Sequence, residues 1–172
     1  MNVTLLYRIA AVLLILFAAA HTFGFLSFTP PTPEGVAVRD AMNNVHFQVR
    51  SHNYSYGNFY RGFGLFATAY LLFAAFLAGH LGAMAAKHPQ AIGSLAWVFF
   101  GLQLVSMALS WIYFAPPPVV ASALVALCLG LAAWKLQGAA SQSGQDEAMS
   151  VADRPTPIDF KQTIHGGQKH AS

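Results

Sequence analysis

The sequence predicts an all-α membrane protein: a four-transmembrane-helix bundle, with an amphipathic helix in the long first loop and a disordered C-terminal tail. Three observations carry this expectation. First, four long apolar runs, Ile9–Phe28, Gly62–Ala86, Ala91–Ala115 and Val119–Leu136, hold no Asp or Glu, and their only Lys or Arg is Lys135. Second, each run is of spanning length, because roughly 20 residues rising about 1.5 Å each cross a hydrocarbon core of about 30 Å. Third, only 9% of the 172 residues are charged and 56% are hydrophobic. A soluble domain carries about 25% charge. Backbone polar groups in lipid must bond within their own segment, so the runs are helices.

The first run follows Arg8 and contains Ala18-Ala19-Ala20, which imitates a signal peptide with its cleavage site. The apolar stretch continues through His21 to Phe28, so a retained span is the expectation. The first connection, residues 29 to 61, is the only long one between spans. It opens on Thr29-Pro30-Pro31-Thr32-Pro33, which cannot be helix interior. Thr32 is placed as an N-cap, Pro33 at the first helical position and Glu34 in the first turn. From there Val38, Met42, Val45 and Val49 recur at helical spacing. An amphipathic helix over residues 33–50 is expected to lie on the bundle with that face inward.

Ser51 to Gly64 is rich in Tyr, Asn and Gly, and reads as an ordered aromatic turn at headgroup level. Lys87-His88-Pro89-Gln90 and Pro116-Pro117-Pro118 are tight turns, so spans two, three and four are expected to be successive antiparallel neighbours. Residues 1–138 form the transmembrane domain on this reading. Residues 139–172 are rich in Gly, Ser, Gln and charge, lack apolar periodicity, and are expected to be disordered. Three spans carry small residues four apart, at Ala20/Gly24, Ala75/Gly79/Ala83 and Ser122/Ala126/Gly130, which suits close helix packing.

Four spans place both termini on one side. The Lys/Arg distribution weakly favours cytoplasmic termini in a cell (inner) membrane. The scattered basic residues, giving a net charge of +3, suggest no nucleic-acid surface. Cys128 is the one cysteine, which excludes an internal disulfide and a Cys-x-x-Cys redox pair.

Two ionisable side chains lie inside spans, His21 and His80, and such residues are functional candidates. By helical rise they sit about 10 Å and about 27 Å below the loop-side end. That separation is too large for one metal, whose ligands lie about 2 Å away. His21 has the richer company. Candidate ligand-binding residues at the loop-side cap are His21, Arg39, His46, Arg50, His52, Tyr54, Tyr56, Tyr60 and Arg61. Arg with Tyr suits a lipid phosphate or a quinone carbonyl, and clustered His suits a metal. No motif-grade spacing selects either, and the residues name no cofactor or catalytic group. His21 is expected to take a hydrogen-bond partner from the loop, because a buried imidazole without one is costly. Gln103, Ser106 and Ser110 share one face of span three, which suits interhelical hydrogen bonding or, in an oligomer, a channel lining.

Three blocks carry a resemblance: Ala20-His21-Thr22-Phe23-Gly24-Phe25, then Pro33 to Met42, then Tyr54 to Phe66. Together they resemble a family of small, uncharacterised bacterial four-span integral membrane proteins. The likeness covers Leu5 to Leu136. It implies four spans and no established activity, and in architecture it is similar to the DoxX-like group. The leading expectation is a non-enzymatic protein whose loop-side cap binds a lipid, a quinone or a partner subunit. The rivals are a membrane enzyme using His21, His46 and His52, and an oligomeric transporter or channel.

Overall fold

A computed structural model describes residues 2–114 and 116–152. Its elements are α1 (Val3–Ser27), α2 (Pro33–Asn44), β1 (His46–Val49), β2 (His52–Ser55), α3 (Tyr56–Lys87), a 3₁₀ turn (Pro89–Ile92), α4 (Gly93–Tyr113) and α5 (Pro116–Ala152). Four helical segments are long and apolar enough to cross a membrane: Val3–Ser27, Tyr56–Lys87, Pro89–Tyr113 and Pro116–Ala139. The chain is a multi-pass, four-helix membrane protein.

The caps follow from the sequence. Asn2 Oδ1 accepts from the Thr4 amide at 3.2 Å, Thr32 Oγ1 from Gly35 at 3.2 Å, and Ser55 Oγ from Asn58 at 3.1 Å. Each satisfies an amide that the first helical turn leaves unpaired. The prolines of residues 116–118 fall inside the first turn of α5, where an absent N–H costs nothing.

α1 packs closely on α3 and on α5, and α4 packs on α5. One face of α1 (Leu6, Tyr7, Ala10, Leu14, Ala18) is buried against Leu71, Ala74, Ala78 and Leu81 of α3 and Val125, Leu129 and Ala132 of α5. In lipid, such helices associate through packing at small residues, because tails are as apolar as Leu. Tyr7 lies against Gly82, where a Cβ would approach the Tyr7 Cβ to 2.9 Å. Phe100 lies against Gly130, with its ring 2.8 Å from the same position.

Several expectations are corrected. The helix expected over residues 33–50 ends at Asn44, and a β-hairpin follows it. Its register pairs His46 with Ser55 and Val49 with His52, which leaves Arg50-Ser51 as a two-residue turn with Arg50 at φ 57°. Val38, Val45 and Val49 are exposed rather than inward, and only Met42 is half-buried. The aromatic segment from Tyr56 onward is not a turn but the first turns of α3. The small-residue stripes also divide. Ser122 and Ala126 are buried, whereas Ala20, Gly24, Gly79 and Ala83 face outward. α3 and α4 run as successive spans but approach sparsely, bridged by Tyr70 Oη and Ser106 Oγ at 3.5 Å. α5 continues past the expected boundary at residue 138, to Ala152. The rest of the expected tail, residues 153–172, lies outside the described residues.

Candidate functional site at the loop-side end

The residues around His21 form one connected cluster on the α1–α3 seam. His21 Nε2 lies 3.1 Å from the Gly64 carbonyl oxygen. A carbonyl only accepts, so Nε2 carries the proton and donates it. The same carbonyl accepts from Thr68 Oγ1 at 3.3 Å. Thr22 Oγ1 donates to the Ala18 carbonyl at 2.7 Å and meets Thr68 Oγ1 at 2.8 Å. Thr68 donates to Gly64 and Thr22 donates to Ala18, so the close hydroxyl pair relies on one of these protons being shared. The His21 ring stacks on Phe25 at 5.8 Å between centroids and 5° between planes. Phe25 reaches α3 because residue 64 is Gly; its ring occupies the place a Cβ would take. Tyr60 also meets the Phe25 ring, with centroids 5.4 Å apart and the planes tilted by 53°.

The cap above this cluster is held by a second close approach. Asn43, at the end of α2, lies directly against Gly57, which is buried in the first turn of α3. The Tyr56 amide donates to the Val45 carbonyl at 3.3 Å, fastening the hairpin base. Phe47 then gathers Tyr54, Tyr56 and Phe59 around it at centroid distances of 6.0, 4.9 and 5.9 Å. Phe59 continues the cluster to Phe63 at 4.8 Å, edge to face.

Of the nine residues singled out from sequence, His21 and Tyr60 are brought together, through Phe25. Tyr54 and Tyr56 meet separately on Phe47. The others are dispersed over the cap. Arg39 reaches its neighbour Asp40 at 3.7 Å, an exposed pair of little energetic weight. His46 Nδ1 donates to the Asn44 carbonyl at 2.8 Å. His52 lies 3.4 Å from Ser51 Oγ and stacks on Tyr54. Arg50 and Arg61 are exposed, and among the described residues neither forms an ion pair. The partner of His21 is therefore a helix carbonyl and not the loop side chain expected. Among the described residues no three His, Cys, Asp or Glu are grouped to hold a metal.

Phe25, Gly64 and Phe47 organise the site and were not singled out for it. Their signal was present in part: an aromatic residue one turn after His21, and a Gly inside an apolar run. Away from the cap, Gln103 and Ser110 are buried inside the bundle rather than facing outward. Gln103 Oε1, Ser122 Oγ and Tyr7 Oη have no hydrogen-bond partner among the described residues. His80, the other ionisable side chain inside a span, is exposed and stacks on Phe76 at 6.1 Å.

A scan against protein-family models, a search of curated proteins and a search of solved structures each return no match. The likeness to the DoxX-like group therefore has no support beyond four spans.

Proposed function

We propose that this is a non-enzymatic membrane protein that docks a partner subunit through its loop-side cap. The observation that carries this reading is the exposed aromatic surface built on Phe47. Phe25 sits on Gly64, level with the end of α1 at Ser27, so the preceding turns of α3 project beyond the neighbouring span. Tyr54, Tyr56 and Phe59 stand on that projection 44%, 49% and 55% exposed. Exposed Tyr and Phe, on a cap that also carries Arg39, Arg50 and Arg61, have the composition of a protein-binding surface. Both hairpin strands also have a free edge that a partner strand can join.

The alternatives draw less support. A lipid or quinone pocket needs the His21 ring free for a ligand, and its Nε2 is bonded to Gly64 and its ring stacked on Phe25. The enzyme reading needs His21, His46 and His52 together, and each has a different local partner. A channel lined by Gln103, Ser106 and Ser110 needs that face at an oligomer axis, whereas Gln103 and Ser110 lie inside one bundle. We place the protein in the inner membrane with both termini cytoplasmic, since Arg8, Lys87 and Lys135 share the terminal side. A reporter fused after Ser172 reads as cytoplasmic on this placement; a periplasmic signal reverses it.

Native mass spectrometry of the full chain, extracted gently from its source membrane, tests the function. The expected species carries one further polypeptide in fixed ratio, lost on Phe47→Ala or Phe59→Ala. A retained small molecule that disappears with His21→Ala would instead install the ligand-pocket reading.

A further inference from the structure

A second feature lies at the opposite end of the bundle, on the outer α1–α3 seam. A shallow groove of about 510 Å³ is floored by Ala11 and Ile15 of α1 and by Leu72, Ala75, Phe76 and Gly79 of α3. Its lining is apolar except at one end, where His80 closes it. Leu72 to His80 is eight residues, or about 12 Å of helix, so the groove fits within one leaflet of a hydrocarbon core of about 30 Å. It is open because residue 79 is Gly, and nothing lies within 4 Å of where its Cβ would be.

A cation stands level with the polar end. Tyr7 packs on Gly82, which fixes Arg8 and His80 at nearly the same height. Arg8 lies three residues before Ala11 and seven before Ile15, on the same helical face. It is exposed, it lines a separate depression with Leu5, Ile9 and Val12, and among the described residues it has no ion pair. A long guanidinium this near the start of a span extends toward the headgroups. The His80 ring nitrogens have no hydrogen-bond partner among the described residues, and a hydrocarbon tail cannot supply one.

We propose that this groove binds an anionic phospholipid, with the phosphate at Arg8 and His80 and one acyl chain along Ala11, Gly79, Phe76 and Leu72. Charge decides the occupant. A phosphate accepts from both the guanidinium and the imidazole, and Arg holds phosphate oxygens in a bidentate fork. A second copy packed on the same face would set Arg8 against Arg8, and the four spans hold no Asp or Glu to separate them. The chain then follows a surface of small residues, which lets it lie close to the backbone.

The test uses the full chain in detergent, titrated with phosphatidylglycerol or with phosphatidylcholine of the same acyl chains, and read by native mass spectrometry. Inorganic phosphate is the control for headgroup chemistry alone. The expected result is one retained phosphatidylglycerol at a concentration at least fivefold below that for phosphatidylcholine, with no phosphate adduct. Arg8→Gln reduces the preference to near unity. Gly79→Leu, which fills open space, reduces retention of both lipids at an unchanged melting temperature. Ile15→Trp fills the groove from α1 and serves if Gly79→Leu does not fold. Equal retention of the two lipids by the unaltered protein would overturn the proposal, as would retention unaffected by both groove-filling changes. A species of twice the mass, abolished by Gly79→Leu, would give the groove to a second copy.

Discussion

His21 donates its Nε2 proton to the backbone carbonyl of Gly64, 3.1 Å away across the α1–α3 seam. The bond forms only because Phe25, one turn along α1, lies flat on the same glycine. Residue 64 thus provides both an acceptor and a seat for a ring. Gly64→Ala drives a Cβ into the Phe25 ring and separates the helices at this end. Overpacking of this kind costs about 1–3 kcal/mol. Gly62→Ala meets nothing within 4 Å and is the matched control. Reversible unfolding in mixed micelles should register a clear loss for Gly64→Ala and little change for Gly62→Ala. Equal effects would mean that Phe25 has another place to go.

The hydroxyls of Thr22 and Thr68 meet at 2.8 Å beneath His21. Hydrogen bonds between membrane helices average about 0.6 kcal/mol and reach at most about 1.7. Thr→Val keeps the shape and removes the hydroxyl. A double-mutant cycle on Thr22→Val and Thr68→Val should give a coupling of that size. Additive single changes would show that each hydroxyl is satisfied by its own helix carbonyl alone.

The spans and the Thr32 cap were legible, because hydropathy and cap chemistry each leave a local signal. The hairpin was not. Val45 and Val49 are four apart, a spacing that satisfies both the helical period and the two-residue period of a strand. Phe47 between them was the residue that favoured a strand, and the two-residue turn has no Gly to mark it, only Arg50 in the left-handed region. The dispersal of the candidate residues was equally invisible. Chain proximity placed Arg39, His46 and Arg50 near His21, but Arg39 and His46 take neighbours in their own chain segment and none of the three is bonded to His21. The Phe25–Gly64 and Asn43–Gly57 approaches are long-range, and one sequence does not pair a ring or an amide with a distant glycine.

Gly57 makes a prediction about the cap alone. It is buried against Asn43, and any Cβ there collides with the Asn43 side chain. Gly57→Ala should loosen α2 and the hairpin while leaving the four spans packed. Hydrogen exchange should accelerate over residues 33–55 and stay unchanged over Leu6–Ala18 and Leu71–Leu81. Asn43→Gly in the same background should restore part of the protection, because it removes the colliding atoms. Uniform acceleration through α1 and α3 would show that cap and bundle unfold together.

The last expectation concerns α5, which is helical to Ala152. Leu136 is 3% exposed and is the last residue of the buried core. Gln137, Gly138 and Ala139 are all exposed. Exposed helical turns such as these gain little from burial, and propensity alone holds short helices only marginally in water. Truncation after Gln137 should therefore leave the melting temperature of the solubilised protein nearly unchanged, within the ±0.5 kcal/mol typical of surface changes. Leu136→Ala in the full chain removes a buried side chain and should cost about 2–5 kcal/mol. If truncation costs as much as Leu136→Ala, residues beyond 137 dock on the bundle and the packed domain extends past Leu136.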